Sequence, residues 1–254
     1  MIKLVKKAQR IFQEEGLLSL ISRTIYFIYA RTFQNISPRK TTEYNGQQVR
    51  SIYLFDRYIP FAKADGERPN YESGIVQSIK NHSKNGDEVI IVGGGWGVTA
   101  TVAAKNVGKD GDVMVYEGSA SEIEKINDTT KLNNVEDSVA VKHAIVGPLV
   151  SLRGSANGAE KVAPQELPNC DILELDCEGS EIDILENMTI TPRVIIVESH
   201  GMNGSSSDNV ESLLQELSYE VVSKEIADKG LEETCKENDI YVLTGIRSNI
   251  KTET

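Results

Sequence analysis

The sequence predicts an α/β fold, a mostly parallel sheet that binds a nucleotide at the carboxyl ends of its strands, preceded by a basic helical extension. Three observations carry this expectation. The run EVIIVGGGWGVTA, residues 88–100, leads an apolar strand straight into a glycine-rich turn. A second strand, VMVYEG, ends in an acid, Glu117, about twenty residues further on, the spacing at which a ribose diol is met in nucleotide-binding folds. From residue 71 onward, apolar runs of strand length alternate with segments of helical periodicity.

Taken in chain order, residues 1–40 read as the helical extension, closed by the break at Ser37-Pro38. Residues 41–70 hold a β-like run, VRSIYLFD, and turn signals at Asp65-Gly66 and Pro69, and read as a lid or access segment. The domain proper spans 71–247, with 248–254 as a tail. Its strands are expected at 88–92, 112–117, 138–142, 171–176, 193–199, 219–223 and 239–244, and its helices at 71–83, 98–107, 119–132, 180–187 and 206–217. No helical pattern separates the last two strands clearly, so they are expected to form an antiparallel edge. Residues 147–169, with Gly147-Pro148, Gly154, Gly158, Pro164 and Pro168, read as irregular chain.

Composition narrows the function. With 254 residues there is room for one α/β domain and an appendage, not for two nucleotide-binding domains. A net charge of −11 argues against a general nucleic-acid binder, which needs a basic face. Cys170, Cys177 and Cys235 form no C-x-x-C pair, and no secretory signal or run of eighteen apolar residues is evident, so a cytoplasmic, reduced setting is expected. Residues 1–40 differ from the rest: eight Lys or Arg stand against Glu14 and Glu15 alone. Leu18, Ile21, Ile25 and Ile28 fall at helical spacing beside Tyr26, Phe27 and Tyr29. That pattern fits peripheral contact with a membrane surface, or packing on the chain's own domain or on a second copy in a homo-oligomer.

The glycine turn supports two cofactors. Gly95-x-Gly97-x-x-Ala100 satisfies the dinucleotide fingerprint, whereas Gly93-x-Gly95-x-Gly97 has the spacing of S-adenosylmethionine-binding turns. The second motif, DILELDCEGSEIDILENM at 171–188, decides between them. An apolar strand ends at Asp176, and Asp176, Glu178 and Glu181 surround Gly179 as a helix begins. Such groups gather where open parallel sheets bind ligands.

Here the sequence resembles the FkbM-type class I methyltransferases, whose pattern at this strand is close to "lKiDvEGaE". The resemblance runs over about residues 71–245, through GDEVIIVGGGWG, VYEGSAS, VKHAIVG, LELDCEGSEIDILENM, PRVIIVESHG and LLQELSYEVV. It implies a Rossmann-like class I methyltransferase sheet, mostly parallel with an antiparallel edge strand, and S-adenosyl-L-methionine as cofactor. It implies cofactor contacts from Gly93, Gly94, Gly95, Trp96, Gly97, Glu117, Gly118, Ser119, His143, Ala144 and Asp176. Asp176 and His200 would be catalytic, His200 as general base, with Glu178, Glu181 and Glu198 toward the acceptor. The expected reaction is O-methylation of a small-molecule or glycan hydroxyl on a sugar, glycolipid or secondary metabolite. An NAD-linked oxidoreductase is the alternative enzyme, disfavoured by the lack of a Tyr-x-x-x-Lys pair, and a non-catalytic scaffold subunit is the third class.

Two departures from the family pattern stand out. The acid two positions before the first glycine is Ile91, leaving Glu72 or Asp176 as candidates for the methionine ammonium. The signature lysine is Glu174. No close ligand spacing demands a metal, so none is assigned, although Asp176, Glu198 and His200 carry the donor types to hold one.

Overall fold

The structure, a computed structural model, describes residues 2–32, 37–53, 55–58, 66–152 and 154–248. It separates into two compact units, residues 1–42 with 50–67 and residues 43–49 with 68–254. In the first, α1 (Ile2–Thr32) is interrupted at Gly16, whose φ of 86° and ψ of 177° are not helical. Tyr29 is buried there and donates to Asp56 Oδ1 at 2.9 Å. A hairpin of β1 (Arg39–Tyr44) and β2 (Gln47–Tyr53) turns at Asn45-Gly46, both with positive φ, as tight hairpins require. The expected β-like run falls on β2 and beyond, while β1 has no counterpart in the sequence reading. None of the described helices is long and apolar enough to cross a membrane.

The larger unit is an eight-stranded sheet in the order β6-β5-β4-β3-β7-β8-β10-β9. Its members are β3 (Glu88–Val92), β4 (Asp112–Glu117), β5 (Val139–Val146), β6 (Glu160–Val162), β7 (Ile172–Leu175), β8 (Val194–Glu198), β9 (Tyr219–Ile226) and β10 (Tyr241–Arg247). Pairs from β6 through to β8 are parallel, and β10 runs antiparallel to both β8 and β9. The last two strands thus make the antiparallel edge that the sequence leads one to expect. The helices are α2 (Ser73–His82), α3 (Val98–Val107), α4 (Ala120–Leu132), α5 (Glu181–Asn187), α6 (Ser207–Glu216) and α7 (Glu232–Glu237). Two short elements correct the sequence reading. The 147–169 segment contains β6, held by pairing with β5, and the polar stretch 224–238 contains α7, whose Cys235 is buried.

Central strands buried on both faces read as continuous apolar runs, and β3 and β8 do, while β7 (ILEL) is interrupted by the buried Glu174. Alternation splits their side chains into two cores. Ile91, Ile172 and Ile196 pack with Ile75, Ile79, Val98 and Ile126 from α2, α3 and α4. Ile90, Leu173 and Ile195 pack with Ile184, Leu185, Val210 and Leu214 from α5 and α6. The three cysteines are unpaired.

The chain winds outward from β3 to β6 and then returns to place β7 on the other side of β3, which puts the topological switch point between β3 and β7. The fully buried Leu173 sits at that centre. Leu173→Ala is expected to lower unfolding free energy by about 2–5 kcal/mol in urea titrations, against about 0.5 kcal/mol or less for Val222→Ala on the exposed edge.

Candidate active site

At the switch point the ends of three strands are laced together. Gly93 N–H donates to the Tyr116 carbonyl and Asp176 N–H to the Val92 carbonyl, both at 2.9 Å. Gly93 has φ of 97°, and a Cβ there would lie 1.8 Å from the Asp176 carbonyl oxygen, so only glycine fits. A solvent-open cleft lies above these ends.

One wall is the glycine turn and the end of β4. Glu117 accepts from Gly94 N–H at 3.0 Å and from Ser119 N–H at 2.8 Å, tying the turn to β4 while facing the cleft. Burial raises its pKa, and the backbone hydrogen bonds from Ser119 and Gly94 work against that rise. Each carboxylate oxygen can accept more than one hydrogen bond, so capacity for a diol remains. Gly93, Gly95, Gly118 and Ala144 also line the cleft, as does Glu72, held at a left-handed φ of 47°. Leu149, Ser151 and Leu152 in the 147–169 segment, which the sequence offers no periodicity to identify, also line the cleft. Glu122, a first-turn acid of α4, faces the cleft as well and was legible only as a helix start.

Other expected cofactor residues lie outside this lining. Gly94 and Gly97 make room for Ile126, since a Cβ on either would come within 2.8 Å of it. Trp96 packs edge-on to Tyr44, with ring centroids 5.7 Å apart, and beneath the Lys125 ammonium at 4.5 Å. His143 Nε2 lies 3.1 Å from the Gly118 carbonyl, and Ser119 Oγ pairs with Ser121 at 2.9 Å. These residues support the wall and do not form it.

The acidic end gathers the signature residues. Asp176 and Glu178 line the cleft, Glu178 with a left-handed φ of 57°. Glu181 corrects the sequence reading, because it is fully buried and has no surface to offer an acceptor. Its Oε1 instead accepts from Cys177 N–H and Gly179 N–H, both at 3.1 Å, and lies 2.9 Å from His200 Nδ1. His200 Nε2 faces Asp176 at 3.5 Å and Glu198 at 3.7 Å. Burial lowers the pKa of His200, but the Glu181 hydrogen bond and the charges of Asp176, Glu181 and Glu198 outweigh it and push the value up to about 10. An imidazole so placed is already protonated near neutral pH, which removes the expected general-base role in this arrangement. Burial, then the charge of Asp176, raises Glu198 well above the carboxylate range. Asp176, Glu198 and His200 each offer one ligand atom within 4.8 Å of the others.

No curated protein matches the chain. Among solved structures it is similar to an S-adenosylmethionine-dependent O-methyltransferase from Thermotoga maritima, at 17% identity and TM-score 0.48, over 85% of this chain and 80% of that one. It is also similar to ribosomal protein L11 methylase from Lactobacillus delbrueckii subsp. bulgaricus, at 15% identity and TM-score 0.48, over 70% and 79% of the two chains. Residues 159–221, from the approach to β6 through Asp176 and His200 into β9, match the methyltransferase FkbM domain, and they lie within an open, mostly parallel α/β sheet.

Proposed function

We propose that the protein is an S-adenosylmethionine-dependent methyltransferase whose acceptor is a hydroxyl of a sugar, glycolipid or secondary metabolite. One observation carries the reading: within the segment that matches the FkbM domain, Asp176 follows directly on β7, in the same cleft as Gly93, Gly95 and Glu117. The cleft fits the cofactor by its donor set. Glu117 would take the ribose hydroxyls, Gly118 and Ala144 would lie beside the base, and Glu72 or Asp176 would face the ammonium group.

The cofactor, when bound, supplies an electrophilic methyl group on a sulfonium. The protein's task is then to align an acceptor oxygen and keep water away. Asp176 and Glu178, at the acidic end of the cleft, are suited to orient a hydroxyl and to receive its proton. His200 and Glu181 act as positioning groups that fix the loops carrying them.

A second proposal concerns α1. Leu18, Ile21, Ile25 and Ile28, the stripe expected from helical spacing, are all exposed, Leu18 by 81%. With the basic charge of residues 1–40, this stripe suits attachment to an anionic membrane surface.

Calorimetry is expected to register S-adenosylhomocysteine binding and none of NAD, and the reverse result overturns the assignment. Glu117→Ala is expected to weaken S-adenosylhomocysteine by about 10-fold to 150-fold through lost charge-assisted hydrogen bonds. Trp96→Phe, outside the cleft, should keep affinity within about twofold. For α1, the full chain is expected to co-sediment with phosphatidylserine-containing vesicles, and Ile25→Asp with Ile28→Asp to release it. Sedimentation unaffected by those changes removes the membrane role.

A further inference from the structure

His200 Nε2 is directed into a gap between carboxylates. Asp176 Oδ1 lies 3.5 Å away, Glu198 Oε1 3.7 Å and Glu178 Oε2 3.9 Å, all beyond the 2.7–2.9 Å (approximately) of a direct charge-assisted hydrogen bond. The opposite ring nitrogen is 2.9 Å from the buried Glu181 carboxylate. A carboxylate that accepts the Nδ1 proton fixes the tautomer and turns the Nε2 lone pair outward, which is how metal-ligating histidines are held. Ligand atoms around a hexacoordinate ion with bonds of about 2.1 Å stand about 3 Å apart, so the two distances from Nε2 need to contract by under about 1 Å and the pair of carboxylates, within 4.8 Å of each other, by under about 2 Å.

An independent observation comes from one layer below. Glu174 is 1% exposed, and neither of its carboxyl oxygens has a hydrogen-bond partner. It precedes Asp176 by two residues on β7, and in register it lies beside Ile91 and Ile196, so it shares the sheet face of Asp176 and Glu198. The charges that act on it most are Asp176, Glu72 and Glu181. A buried acid whose carboxyl oxygens have no hydrogen-bond partner thus lies on the same sheet face as Asp176 and Glu198.

We propose that Asp176, Glu198 and His200 bind a divalent cation of the manganese type. Two carboxylates with one neutral imidazole form a mixed oxygen and nitrogen set of charge −2, which a divalent ion neutralises, and three protein ligands leave positions open on a hexacoordinate ion. The ion replaces the proton on Nε2. Asp176 and Glu178 bring the open positions to the cleft, where the chemical class that fills them is a pair of adjacent oxygens, such as a vicinal diol. That acceptor role rests on the methyl-transfer reading; the cation site does not. Glu178 is then left to take the acceptor proton.

Manganese titrated into the full-length protein and followed by electron paramagnetic resonance should register one bound ion per chain. Asp176→Asn and His200→Ala are each expected to weaken it by about tenfold or more, while Glu216→Gln, an exposed acid elsewhere, leaves it unchanged. In the unaltered protein, manganese is expected to broaden the ring resonances of His200 before those of His82 and His143, which keeps the test valid if a variant misfolds. No binding up to millimolar manganese, equal binding in the variants, or broadening that spares His200 overturns the site. S-Adenosylhomocysteine titrated in parallel separates the two readings. Its binding without manganese ends the cation site alone, and manganese binding without it ends the methyltransferase assignment alone.

Discussion

The closeness of the backbone at Gly93 and Asp176 governs both the sheet and the cleft. The two strand ends pass so near each other that a single added carbon would collide with a carbonyl oxygen. Because β3 and β7 are also neighbours at the switch point, that approach sets where the glycine turn rises and where the DCEG loop departs. Glu117 then fastens the turn to β4 through Gly94, and Glu181 fastens the loop through Cys177 and Gly179. Two acids thus accept backbone hydrogen bonds near one crossing, Glu117 from the glycine turn and Glu181 from the DCEG loop.

Much of this was legible from sequence wherever the determinant is local. The bounds of β3, α3 and β4 coincide with the sequence reading, because a fully apolar strand, a glycine turn and a second apolar strand leave no competing arrangement. β6 was not legible. Its three residues have no periodicity and exist as a strand because β5 lies beside them. The site divides in the same way. The spacing of Gly93, Gly95 and Glu117 gives their common location, but Gly94 and Gly97 look identical in sequence and serve the packing of Ile126. Glu178 and Glu181 are both acids beside Gly179, and only the folded loop separates the one that faces the cleft from the one enclosed beneath it.

Glu174 is where the chain departs from the resemblance in a way that has a physical cost. The family pattern carries lysine there, and a lysine would offer a positive charge to the acids around it. The glutamate adds a carboxyl group without a hydrogen bond, a burden of about 1–3 kcal/mol for a buried polar group. Burial, followed by the charge of Asp176, raises its pKa well above the carboxylate range. The exchange changes what the acids above it can be balanced by, without altering the strand that carries them.

A single oxygen, Glu181 Oε1, receives Cys177 N–H and Gly179 N–H and also meets the ring of His200. The loops after β7 and β8 therefore share one anchor, and a substitution there displaces both together. Divergence of acceptor preference in descendants of this chain is correspondingly channelled away from the anchor. Leu149, Ser151 and Leu152 lie on a segment that meets the acidic end where Ser180 Oγ donates to the Pro148 carbonyl, and their side chains can exchange singly without touching the Glu181 anchor. The molecule thus has one flank that evolves by whole-motif replacement and another that evolves by single steps.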